Sequence, residues 1–207
     1  MVAAQPRLAG WHVKEVHVTS NVGLGLPLGR TTEVLAVKYS SSLGLDVSMI
    51  NSKYFLYPFV DFLAFGYDQQ LDDPAYAYQL ERGHSNLYVA NLAAGMRKRN
   101  DRWGIYAFAG PGVGLLTEPR AEVHPEAQIV VLDNHSSWAP TLRGGAGADY
   151  RLGNVFIYVE CSYLHYFKSV ESRPMHALAV YGGLKTNVTR VADRVIEIIT
   201  RSPSGTN

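Results

Sequence analysis

Apolar and polar residues alternate with a period of two over very long runs of this chain, and few folds accept that pattern. In VFIYVECSYLHYF, Val155, Ile157, Val159, Cys161 and Tyr163 fall on one side, and Phe156, Tyr158, Glu160, Ser162 and Leu164 on the other. LAVKYSSSLGLDVSM behaves the same way. Leu35, Val37, Tyr39, Ser41, Leu43, Leu45, Val47 and Met49 share one side, against Ala36, Lys38, Ser40, Ser42, Gly44, Asp46 and Ser48. Period two is the signature of strands, since a helix repeats every 3.6 residues. Such runs predict eight strands, at about 12–26, 33–50, 54–69, 86–99, 103–121, 137–151, 154–168 and 175–189. Strands of soluble proteins run about 5–6 residues, whereas a strand tilted ~45° across a bilayer needs about 9–11.

The connections alternate in length. NSK (51–53), RND (99–101) and RLGN (151–154) are short, while 27–33, 68–85, 124–137 and 169–174 are longer. An even-stranded outer-membrane barrel is built with short turns on one rim and long loops on the other. Both chain ends then fall on the short-turn, periplasmic side. The expected fold is therefore all-β: an eight-stranded antiparallel up-and-down transmembrane barrel over 11–189. An N-terminal tail (1–10) precedes it and a periplasmic extension (190–207) follows. In the extension Val191, Val195, Ile198 and Ile199 form one helical stripe, so a short amphipathic helix at the interface or against a partner is expected.

The distribution of charge tells the two faces apart. Val22, Leu24, Leu43, Val60, Leu92, Ile105, Val113, Val180 and Leu184 lie on a face almost free of charge. Charge at the midplane of a barrel's lipid face costs about 2–4 kcal/mol, so this is the expected lipid surface. The opposite face holds Glu15, Lys38, Asp46, Asp61, Arg97, Arg143, Asp149, Glu160 and Lys185, with His17, Asn21 and Asn91. Eight strands enclose a space that side chains can fill. The expectation is a closed lumen bridged by ion pairs, not a pore. Trp11, Trp103, Trp138 and several tyrosines fall near strand ends, where aromatic girdles sit.

Composition removes other classes. The net charge is +1, so there is no electrostatic footprint for nucleic acid. A single cysteine, Cys161, leaves no internal disulfide and no Cys-cluster metal site. No apolar run approaches the ~20 residues of a transmembrane helix. MVAAQ shows no secretory apolar region.

Candidate chemical sites fare poorly. GIYAFAGPGVGLL (104–116) has Gly110, Gly112 and Gly114, but Leu115 breaks the GxGxxG pattern, and no helix follows a strand there. Read with period two, its glycines face the lumen and leave room for Arg97 or Arg143. Pro111 cannot donate to a ladder, so a bulge or an unpaired position is expected. Ser162 with His165 and Glu160, and Ser136 with His135 and Asp133, are the possible triads. In the first, His165 points away from its partners. The second lies in an expected loop, and no GxSxG elbow occurs. His84, His124 and His135 fall in expected long loops without metal-ligand spacing. No catalytic residue, metal or cofactor is expected. Tyr76 and Tyr78, in the 68–85 loop, are candidates for binding a surface partner.

The runs YPFVDFLAFGYD, YAFAGPGVGLL, LRGGAGADYRLGNVFIYVE and ALAVYGGLKTNV resemble the bacterial outer-membrane β-barrel domain, closest to the eight-stranded forms common in Bacteroidetes. The likeness spans about 11–189. GAGADYRLGNVFIYVE is its most specific part, a Gly-rich strand, a tight turn and an alternating strand. The resemblance implies outer-membrane insertion, with outer-membrane lipid as partner, and no single activity. The chain runs on through TRVADRVIEIITRSPSGTN where such barrels commonly stop on a terminal aromatic. The leading functional expectation is a non-enzymatic, porin-like-shaped barrel with a structural, anchoring or surface-interaction role. An envelope protein could engage its long loops or tail. A soluble lipocalin-like barrel around an apolar ligand and a lipid-modifying barrel enzyme are the alternatives.

Overall fold

The computed structural model describes residues 15–49, 53–68, 83–124, 129–170 and 172–188, with 120–124 and 129–133 described by backbone alone. Eight strands follow in chain order: β1 (Glu15–Pro27), β2 (Leu35–Ser48), β3 (Tyr54–Tyr67), β4 (Gly83–Arg99), β5 (Trp103–His124), β6 (Ile129–Leu152), β7 (Val155–Val170) and β8 (Arg173–Asn187). Each pairs with the next, and β8 closes antiparallel onto β1, so the sheet is a closed up-and-down barrel. Closure leaves no edge strand in the barrel wall itself. One 3-10 helix (Gly29–Glu33) joins β1 to β2 and caps the loop rim, where Thr31 Oγ1 donates to the Pro174 carbonyl at 2.9 Å.

Short connections between β2 and β3, β4 and β5, and β6 and β7 form one end of the barrel, the turn rim; the other connections form the loop rim. Two expected loops are shorter than the sequence implied. The 124–137 segment continues β5 and β6 as ladder, pairing out to His124↔Ile129. Beyond Thr117 β5 pairs only with β6 among the described residues, so the two strands run on there as a ladder of their own. The 169–174 segment is a tight turn closed by Val170↔Arg173, with Ser172 at φ 63. A polar, charged hexapeptide looked like a loop because nothing in its composition signals a positive φ.

Three irregularities shape the wall. Between Val37↔Phe65 and Ser40↔Leu63 the β2–β3 register shifts, so Lys38 and Tyr39 together oppose Ala64. Between Tyr166↔Met175 and Ser169↔Pro174, Phe167 and Lys168 are extra on β7. Pro111 makes no bulge. Pairing of β4 with β5 lapses between Asn91↔Gly112 and Ala94↔Ala109 and resumes in the same register, while Pro111 stays opposite Leu142 on β6. Of the two expectations for Pro111, the unpaired position is the one found.

Inside the barrel two apolar clusters fill different levels. Toward the loop rim lie Leu35, Leu63, Phe65, Tyr67, Leu87, Leu116, Leu164, Tyr166 and Met175 with their neighbours. Nearer the turn rim lie Phe55, Tyr57, Phe59, Tyr106, Phe108 and Tyr158. The loop-rim half of the lumen is thus packed like the core of a soluble protein, which the charged-face expectation did not foresee.

Candidate functional site

The site is the lumen, built from inward residues of all eight strands. In the turn-rim half, Asp46 (β2) pairs with Arg97 (β4), and Lys185 (β8) lies 3.9 Å from Asp46 and 3.5 Å from Asp149 (β6). Arg99 (β4) donates from Nη2 to Asp149 Oδ2 at 3.0 Å. One level further in, Arg143 (β6) pairs with Asp61 (β3) and donates from Nη2 to Ser162 Oγ at 2.7 Å. Asn91 Nδ2 donates to Asp61 Oδ2 at 3.0 Å, and Tyr106 OH donates to Glu160 Oε2 at 3.0 Å. Asn21 Nδ2 donates to the Tyr158 hydroxyl at 2.7 Å.

Each of these cations also lies over an aromatic ring. Arg97 Cζ lies 4.3 Å from the Phe55 ring centroid, and Arg99 Cζ 4.4 Å from that of Phe156. Arg143 sits over Phe59 at 5.0 Å and Tyr181 at 5.4 Å, while Lys185 Nζ sits over Tyr106 at 3.8 Å. A cation over a ring face is stabilised electrostatically, the more so when desolvated. Four cations (Arg97, Arg99, Arg143, Lys185) meet four carboxylates (Asp46, Asp61, Asp149, Glu160), so this part of the lumen is neutral. That balance fits its burial: Arg143 is 1% exposed and Asp61 0%, and buried charge persists only when paired and hydrogen-bonded.

Two residues expected inside lie elsewhere. Lys38 is on the outer wall, where its Nζ contacts His84 Nδ1. The β2 bulge is the cause: one extra residue flips every side chain before it, so Leu35, expected outside, is 2% exposed and inside. Glu15 stands at the turn rim, 28% exposed, 4.0 Å from His17 Nε2. Arg99 went unnoticed in the sequence although its parity matches that of Arg97. Gly110, Gly112 and Gly114 do not make room for Arg97 or Arg143: a Cβ there would meet the Leu92–Ala93 backbone, Asn91 with Thr141, and Tyr166 with Thr141, respectively. A Cβ at Gly147 would lie 2.5 Å from the Tyr106 hydroxyl, and one at Gly145 would lie 2.9 Å from Phe108 Cζ; the space goes to rings.

A mouth of about 720 Å³ opens at the turn rim, lined by His17, Arg99, Arg151, Phe156 and Asn187 among others. Arg99, which bonds Asp149, is among its lining. The first candidate triad does not assemble. Ser162 is held by Arg143, Glu160 by Tyr106, and His165 faces out against His176. His135 and Ser136 stand exposed on β6, and the side chain of Asp133 lies outside the described residues. Tyr76, Tyr78, Trp11 and the 190–207 extension also lie outside them. No group of three or more His, Cys, Asp or Glu gathers among the described residues.

The outer wall reverses the usual protein surface. Leu92 and Met96 are each 57% exposed, Ile105 63%, Val159 60% and Leu184 52%. Outward residues of β4 (Tyr88, Ala90, Leu92, Ala94, Met96) and β5 (Ile105, Ala107, Ala109, Pro111, Val113) carry no charge. Trp103 and Tyr150 pack at 4.7 Å near the turn rim, and Trp138, 66% exposed, marks a second belt. Trp138 and Tyr150 are twelve positions apart on β6. At about 3.3 Å per residue and ~45° tilt that is about 28 Å, against a lipid-facing band of about 25 Å in membrane barrels. No helix among the described residues is long and apolar enough to cross a membrane.

No protein-family model and no curated protein sequence matches the chain. Solved structures do. Neisserial surface protein A is similar, with a TM-score of 0.61 at 12% identity, over 84% of this chain and 98% of that one. A major outer membrane protein of Thermus thermophilus is similar with a TM-score of 0.61 at 11% identity, over 84% of this chain and 100% of the other. At that identity the likeness is one of fold: this chain has the eight-stranded barrel fold found in bacterial outer-membrane proteins.

Proposed function

We propose that this protein is an integral bacterial outer-membrane barrel with a sealed lumen, whose role is structural, anchoring or surface interaction rather than catalysis. One observation carries the reading: charges lie inside and apolar side chains outside. A lipocalin-like barrel turns its apolar face inward around its ligand, and here the lumen is already filled by salt bridges and rings. The turn rim, where β1 begins and β8 ends, is assigned to the periplasm, and the loop rim to the exterior. Loops there, including Tyr76 and Tyr78, with the projecting β5–β6 arm, form the surface offered to an envelope or external partner. The buried charge network sets the barrel's internal register. Extraction tests the reading. The chain should stay with the outer-membrane fraction through alkaline washing and require detergent for release. A chain that remains soluble and monodisperse without detergent overturns it.

A further inference from the structure

On the outer wall near the loop rim, His165 of β7 and His176 of β8 are directly opposed. Their flanking residues, Leu164, Tyr166, Met175 and Ala177, are each 1% exposed and point inward, so both imidazoles project outward from a paired, rigid stretch of wall. Their Nδ1 atoms lie 3.0 Å apart, and the Tyr163 hydroxyl lies 2.6 Å from His176 Nδ1. A ring nitrogen offers one lone pair or one proton, yet His176 Nδ1 meets two partners. A divalent cation relieves that conflict, because both Nδ1 lone pairs can then point at one centre while each Nε2 keeps its proton. From these converging donors we propose that His165, His176 and Tyr163 form a surface site for a borderline transition-metal ion such as Zn²⁺.

The geometry suits it. Zn–N bonds of about 2.0–2.1 Å at a tetrahedral angle put two nitrogens about 3.3 Å apart, so the rings need to spread by a few tenths of an ångström. Neutral imidazole is a good ligand for zinc, copper and nickel. Phe167, whose ring centre is 4.3 Å from that of His165, braces one imidazole edge-on. The Leu28 amide donates to the His176 carbonyl at 2.9 Å and fixes its backbone.

The test is competition for Zn²⁺ against a chromogenic chelator, using the full chain folded in detergent and stripped of metal. One Zn²⁺ per chain should bind. His165→Ala and His176→Ala should each weaken binding at least tenfold, Tyr163→Phe by less, and His84→Ala not at all. Equal binding by the wild type and the His165→Ala/His176→Ala double variant overturns the site, as does no binding by the wild type at micromolar Zn²⁺. Imidazole resonances of the unmodified chain give a second readout that needs no variant. Two rings should shift together on adding Zn²⁺ and keep protonated Nε2; shifts confined to other histidines overturn the site.

Discussion

Arg143 is the residue on which the lumen turns. It is 1% exposed, paired with the fully buried Asp61, bonded to Ser162 and set between Phe59 and Tyr181. Removing one partner of a buried pair strands the other charge, at a cost of about 3–5 kcal/mol, whereas replacing both by apolar groups is often neutral. Arg143→Met should therefore lower the urea midpoint of the detergent-folded barrel strongly, and Arg143→Met/Asp61→Leu should recover most of the loss. Gly147→Val forces a side chain against the Tyr106 ring and should destabilise by about 1–3 kcal/mol in the same assay. At this scale much was legible. Parity and charge alone pointed to Asp46, Asp61, Arg97, Arg143, Asp149, Glu160 and Lys185 as one face. Which carboxylate meets which cation was not legible, because it depends on strand stagger. Lys38 was misplaced because a bulge leaves no mark in a serine-rich run.

At the scale of the strand, the β2 bulge and the smooth outer faces make separate predictions. Deleting Lys38 removes the extra residue and turns Leu35 out of the loop-rim core. The barrel should close with its loop-rim half loosened, seen as faster amide exchange at Leu63 and Leu87 and slower change near Asp149. Val159→Arg places a charge in the middle of the apolar outer face of β7 and should cost about 2–4 kcal/mol in folding into bilayers, while Lys98→Glu, close to the turn rim, should change stability by about 0–1 kcal/mol. The strands were readable wherever one face met lipid and the other the packed lumen, since that contrast is what produces alternation. Along the arm of β5 and β6, where the two strands pair only with each other among the described residues, the sequence alternation fades and a ladder passed for a loop.

For the molecule as a whole, the central claim is the inversion of inside and outside. A filled lumen goes with it: the purified chain should give no steady ion conductance in a planar bilayer, and a stable open channel would contradict the packing of charges and rings described above. The inversion itself is best measured along β7. Nitroxide labels placed one at a time at positions 157 to 163, in a Cys161→Ser background, report collision with oxygen dissolved in lipid. The account predicts strong exposure at 157, 159, 161 and 163 and protection at 158, 160 and 162. Protection at the odd positions with exposure at the even ones, or no alternation at all, would contradict it.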